Sequence, residues 1–244
     1  MTGPDFERAR SPGAKRARRE AILAAAARLA TARGVRETTA SAIADEVGMH
    51  RSAMSRYFET REDIFLELAV DAWDEWSAAV RGEFASIAAR AEGACRQEWH
   101  RTAHEIAAAI AHSLVSRPLF CDLLAHTPLN LERNVSLDRV KAFKVRAIAV
   151  TADVGSALRA VTPLRFDQAH SVVATATAMA GAMWQMAAPG TELRDFYASE
   201  PELAHAVVDV GPRLTDIVGA LLTGYAARPT PPEPTHPPRC RRQT

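Results

Sequence analysis

The sequence predicts an all-α protein of about nine helices. Three observations carry this. Apolar residues recur three or four positions apart, as in Leu68, Ala72, Trp76 and Val80 or Ile106, Ile110 and Leu114, the period of a helix with one buried face. Gly34, Gly48, Pro118, Pro163 and Pro189–Gly190 mark breaks between such stretches. No run of alternating apolar residues is bounded by turns, so there is no case for a sheet. At 244 residues the chain has ample length for a core.

Residues 1–14 are polar and contain Pro4, Pro12 and two glycines, and are expected to be disordered. Lys15, Arg16, Arg18 and Arg19 form a basic cluster at the start of a first helix, which continues through Ala21 to Leu29 and ends at Gly34. Such a cluster is either a solvated helix start or an arm for phosphates. Thr39 is placed to cap a short second helix carrying Ile43 and Val47 on one face. Gly48 follows at once, as expected where a helix ends in a left-handed conformation. A third helix is predicted from Arg51 to about Phe58, with Met54 and Phe58 inward and Arg51, Ser52, Ser55 and Arg56 outward. Two short helices across a tight turn, the second presenting cations, suit insertion into a DNA major groove. Beside that unit the phosphate-arm reading of Arg16 and Arg19 is favoured.

Charge supports a division of labour. Residues 1–61 carry twelve Lys/Arg against seven Asp/Glu, whereas residues 62–244 carry eighteen against twenty-two. A basic first quarter on a mildly acidic remainder fits a DNA-binding head on a separate body. The three cysteines, Cys95, Cys121 and Cys240, form no CxxC pair, so neither a disulfide framework nor a zinc ribbon is indicated. They fit a cytoplasmic protein, as does the absence of an apolar run in the first twenty residues.

In the body, the helical pattern runs unbroken from Phe65 through Trp76 to Val80, as one rod leaving the head. Residues 84–117 read as a further helix. Pro118 opens a short helix to about His126, Pro128 ends it, and Ser136 caps a long helix to about Val161. Residues 171–191 contain no charge but also no Leu, Ile or Phe. Ala, Gly and Thr give little transfer energy into lipid, so this stretch reads as a helix in a protein interface rather than a membrane span. A last helical segment, Pro201 to Ala226, carries an apolar stripe through Val207, Leu214, Val218 and Leu221, with Gly211–Pro212 expected to kink or split it. The tail from Arg228 is rich in proline and is expected to be disordered.

The spacing of Ala21–Leu29, Gly34, Thr38–Thr39, Ile43–Ala44, Gly48, Tyr57–Phe58 and Arg61–Glu62 resembles the N-terminal domain of the tetracycline-repressor (TetR) family over roughly residues 19–66. Departures are His50, where a small polar residue is usual, Ser55 for an aromatic, and Arg61 for a lysine. The Arg117–Leu119, Leu123–Leu124 and Leu131–Asn134 motifs resemble the body of one group of these regulators. The resemblance implies a helix-turn-helix DNA-binding domain over 15–66 and a helical ligand-binding and dimerisation domain over 67–227. It places Arg51, Ser52, Ala53, Ser55 and Arg56 at base edges, with Arg51 suited to a guanine and Ala53 to a thymine methyl. Thr39, Tyr57 and Arg61 take phosphate positions, and His50 fits either role. It also implies a homodimer on a palindromic operator, joined by a four-helix bundle. Small residues at Ala174, Ala178 and Gly181 and the stripe of Val207, Leu214, Val218 and Leu221 are the expected interface.

A small-molecule effector is expected in the body, with Trp99, His104, Glu132, Asn134 and Trp184 as candidate contacts; an aromatic or cationic ligand would suit Glu beside Trp. His100 and His104 share a helical face, but two ligands do not close a metal site, and no metal or cofactor is assigned. The chain carries no GxGxxG, Walker or GxSxG motif, so it is not read as an enzyme; the resemblance implies a repressor released from its operator by the effector. The competing readings are a ligand-independent DNA-binding regulator and an all-α enzyme or carrier.

Overall fold

The computed structural model describes residues 12–91, 99–187, 192–204 and 207–228. Expectations for residues 1–11, the Pro189–Gly190 turn and the tail from 229 lie outside the described residues. The described residues form ten α-helices. Helix α1 (Pro12–Arg33), α2 (Ala40–Glu46) and α3 (Arg51–Met54) make a head whose Ile22, Ala25, Ala26, Ile43, Ala44, Met54 and Phe58 are buried together. Residues 12–14, expected to be disordered, belong to α1; a proline in a first helical turn forfeits no hydrogen bond.

Helix α4 (Arg61–Ala91) is a single 31-residue rod. Its first turns put Ile64 and Phe65 into the head's core, and further along it buries Trp73, Trp76, Val80, Phe84 and Ile87 in the body. Helix α4 packs against α5 (Trp99–Val115) and α7 (Leu137–Ala160). The uncharged α8 (Phe166–Ala187) lies against α7 and α6 (Pro118–His126), and α10 (Val210–Ala226) lies along α5 and α8. Trp73, Trp76 and Phe120 meet in an aromatic cluster with ring centroids 5.3–5.8 Å apart. The Trp76 indole there donates to Ser113 Oγ at 2.9 Å.

Three elements differ from the sequence reading. The helix expected over 84–117 falls partly in α4, which runs to Ala91, and partly in α5, which opens at Trp99, while residues 92–98 lie outside the described residues. Helix α9 (Glu192–Ser199) has no counterpart among the expected elements; its apolar Leu193, Phe196 and Tyr197 fall at helical spacing but span little more than one turn, too short a run to read as a helix, and Phe196 is half-exposed. The final segment is not one helix: residues 201–204 form turns, and α10 begins only at Val210. Pro212 therefore sits in the first turn of α10, where its missing N–H and its ring are tolerated. Between α6 and α7 the chain passes through one π turn, Thr127–Leu131, that contains Pro128, and a 3₁₀ turn, Glu132–Asn134.

Candidate nucleic-acid interface and effector cavity

The head is held by caps at every joint. Helix α1 ends at Gly34, which has φ +88° and donates its N–H to Ala30 O at 2.8 Å. Thr39 Oγ1 accepts the Ala42 N–H at 3.2 Å and starts α2. At the other end Gly48 (φ +64°) donates to Asp45 O and Met49 to Ala44 O, the paired bonds of a Schellman motif. His50 then caps α3: its Nδ1 accepts the Ser52 N–H at 3.3 Å and lies 2.8 Å from Ser52 Oγ. An imidazole thus performs the task usually given to Ser or Asn, a role the sequence reading does not assign to it.

Helix α3 is four residues long, shorter than the expected Arg51–Phe58. Ser55 Oγ folds back on Ser52 O at 2.9 Å, and Tyr57 N–H bonds Met54 O at 2.8 Å. Such local bonds compete with the regular ladder, so the chain tightens into a turn with the same handedness. Arg51, Ser52, Ser55 and Arg56 are all exposed, while Ala53 and Tyr57 are half-buried. Thr39, Arg51 and Ser55 share the wall of a groove of about 650 Å³ with Arg36, Arg61, Glu59 and Glu62, so guanidiniums, carboxylates and hydroxyls all line it.

Two of the expected phosphate contacts are already engaged within the chain. Arg19 forks onto the Glu67 carboxylate and lies over the Phe58 ring at 4.4 Å. Arg139 of α7 joins the same cluster, 3.1 Å from Asp63 and 3.6 Å from Glu67. Arg61 donates to the Thr38 and Val35 carbonyls and to Glu62 (2.8 Å for the last). Both guanidiniums fasten α4 to the head, so a phosphate contact from either one competes with these bonds. Arg16 remains exposed, with only a long 3.8 Å pairing to Glu20.

Head and body also meet at Asp122 of α6. This buried carboxylate accepts the Val35 N–H at 2.6 Å and the Gln185 side-chain amide at 2.7 Å, and lies 3.4 Å from His126 Nε2. Burial pushes its pKa up, but the bonds from His126, Val35 and Gln185 outweigh that and hold it below the usual carboxylate range. Next to it, burial and the Asp122 charge push the Cys121 thiol up to about 12, which leaves it unreactive.

Gln185 faces two spaces. On one side is the cleft of about 370 Å³ between α1 and α6, which holds Asp122, His126 and Trp184. On the other is a cavity of about 560 Å³ between α7, α8 and the π turn. Trp73, Leu124, Phe143, Ala147, Thr177 and Ala182 wall this cavity, and its charged lining residues are Glu132 and Lys144, 2.7 Å apart.

Two family descriptions match this chain: "Bacterial regulatory proteins, tetR family" over residues 22–68, and "Tetracyclin repressor-like, C-terminal domain" over residues 71–229. The chain belongs to the TetR family. It is a DNA-binding transcriptional regulator of that family. No curated protein sequence matches it. Among solved structures it is similar to the FadR TetR-family repressor of Thermus thermophilus in complex with lauroyl-CoA, at 20% identity and a TM-score of 0.51, covering 87% of this chain and 97% of that one. It is also similar to the TetR-family regulator PfmR of Thermus thermophilus, at 17% identity and a TM-score of 0.46, covering 83% and 97%. A third is AmtR of Mycobacterium smegmatis, at 22% and 0.41, covering 91% and 99%.

In this TetR-family body the five expected effector contacts do not converge. Glu132 alone lines the α7–α8 cavity. Trp184 lies in the α1–α6 cleft, and Trp99 in a recess with Ile87 and Pro163. His104 is exposed on α5, and Asn134 is exposed and donates to Asn130 O at 2.7 Å. Trp73, Phe143, Lys144 and Gln185 were missed because no local spacing links residues on three separate helices, α4, α7 and α8. Among the described residues no three His, Cys, Asp or Glu side chains cluster as a metal site, and no single helix is long and apolar enough to cross a membrane.

The expected dimer face also needs correction. Leu214 and Val218 are 0% exposed within the chain itself, on a helix that lies along α5 and α8. Gly181 is buried against α6, where an added Cβ would lie 2.8 Å from Ala125 N. Val207 and Leu221 are half-buried, whereas Ala174 and Ala178 are exposed. The centre of the stripe is buried, but its partner is the chain's own core.

Proposed function

We propose that the chain is a homodimeric repressor that reads a palindromic operator with α3 and leaves it when a small molecule fills the α7–α8 cavity. The observation that carries this reading is Gln185, which lines the cavity and donates to the carboxylate that also holds Val35 of the head. A ligand that draws Gln185 or α8 into a new position alters the support of the α1–α2 joint. The heads of a dimer must match successive major grooves. A ligand that prefers the body shape with mismatched heads lowers operator affinity by its differential affinity for that shape.

Arg51, Ser52, Ala53, Ser55 and Arg56 are the proposed base-reading set. Thr39, His50 and Tyr57 are proposed to fix register on the backbone, with Arg16 adding phosphate affinity. The lauroyl-CoA in the FadR complex puts acyl-CoA thioesters on the panel of compounds to test.

The test is a mobility shift with the DNA upstream of the chain's own coding sequence. A sequence-specific complex that weakens steeply with salt is expected. Arg51→Ala is expected to cost about 1–3 kcal/mol and to relax preference at one base pair. Unchanged affinity and preference in that variant would overturn the assignment of α3.

A further inference from the structure

We infer that the effector cavity is built for an apolar cation, with Glu132 as its counter-ion and Lys144 as the group it displaces. This deepens the sensor reading and rests on it. The cavity's two charged side chains are unequal. Glu132 is held in the 3₁₀ turn with its side chain 15% exposed, whereas that of Lys144 is 49% exposed on α7. The lysine stem is long and its ammonium is readily rehydrated. The carboxylate has no such escape, so it needs a positive partner wherever the lysine goes.

An incoming cation therefore replaces Lys144 at a carboxylate that is already desolvated, and the lysine swings into water. An anion gains nothing comparable. To pair with Lys144 it must enter beside Glu132 and leave that carboxylate without its partner, a like-charge contact in an apolar site. The walls favour the same sign. Trp73 and Phe143 offer aromatic rings, whose faces attract cations. Leu124, Ala147 and Ala182 offer apolar surface for the rest of the molecule. The volume of about 560 Å³ fits a small organic ligand rather than a bare ion.

The experiment is isothermal titration of the full chain with three probes that share a phenylalkyl body: phenylpropyl-trimethylammonium, 4-phenylbutyrate and 4-phenylbutanol. Lauroyl-CoA is a fourth probe, and operator release is measured in parallel. The cation is expected to bind at least about tenfold more tightly than the anion. Glu132→Gln is expected to erase that preference while leaving the alcohol's affinity within about threefold. Lys144→Met is expected to tighten the cation, since its competitor is gone; this arm does not depend on Glu132→Gln folding well. Anion or acyl-CoA binding that is lost in Lys144→Met, with operator release, overturns the cationic class while leaving the sensor reading intact. Failure of every probe to bind, with the operator still held, overturns both.

Discussion

At the residue scale, two side chains carry more than their types suggest. His50 is the first. A helix of four residues has no interior, so its cap accounts for much of its order. His50→Ala is expected to cost about 0.5–2 kcal/mol of local stability and to weaken operator binding with it. His50→Asn is expected to recover both, because an Asn side chain caps equally well. Circular dichroism melting beside a mobility shift checks this. If Asn restores stability but not binding, the imidazole reads DNA as well as capping α3.

Asp122 is the second. Its folded-state pKa is depressed, so the stability it contributes is present above the unfolded value, about 3.9, and is lost as pH falls through the lower folded value. Protection of the Val35 amide against hydrogen exchange is therefore expected to be insensitive to this group from about pH 5 to 8 and to weaken only in stronger acid. Asp122→Ala is expected to remove that protection at neutral pH and to cost about 1–3 kcal/mol, because it strands the buried Val35 N–H. Undiminished Val35 protection in the variant would show that the head is held elsewhere.

At the element scale, the limits of the sequence reading become clear. Thr39, Gly48, Ser136 and Pro118 announced the ends of their helices because capping acts within a few residues, and each sits at the terminus expected of it. The uncharged stretch of α8 was legible as buried surface for a similar reason. What neighbours that surface meets is a tertiary fact. Leu214, Val218 and Gly181 look the same in sequence whether they face a second chain or the first. The cavity was invisible for the same cause, since Glu132 and Lys144 are brought together by a turn between α6 and α7 rather than by helical spacing. Gly181 offers the test at this scale. A Cβ there meets backbone atoms of α6 and not a flexible side chain, so Gly181→Leu is expected to destabilise the protomer by about 1–3 kcal/mol. Urea titration at two protein concentrations checks it. A loss of stability that appears only on dilution would return Gly181 to the dimer interface.

At the scale of the whole molecule, operator recognition by two heads depends on how two bodies meet. With Leu214 and Val218 committed inward, the exposed small residues of the adjacent helices α8 and α10 that do not line the cavity are Ala174, Ala220 and Gly224. Small side chains allow helix axes to approach closely, and two such pairs related by a two-fold axis make a four-helix bundle. Arg213 and Asp216, also exposed on α10, would flank this contact with opposite charges. The competing apolar face is on α7, where Val145 and Ile148 are each 61% exposed. Ala174→Arg with Ala220→Arg places two bulky cations per protomer on the α8–α10 face without disturbing any buried residue. We expect a folded monomer by sedimentation and circular dichroism, with operator affinity reduced by the loss of the second head. Val145→Arg is expected to leave the dimer intact. The reverse pattern, a dimer that survives on α8 and α10 but parts at Val145, would move the two-fold axis to α7 and with it the spacing of the two reading heads.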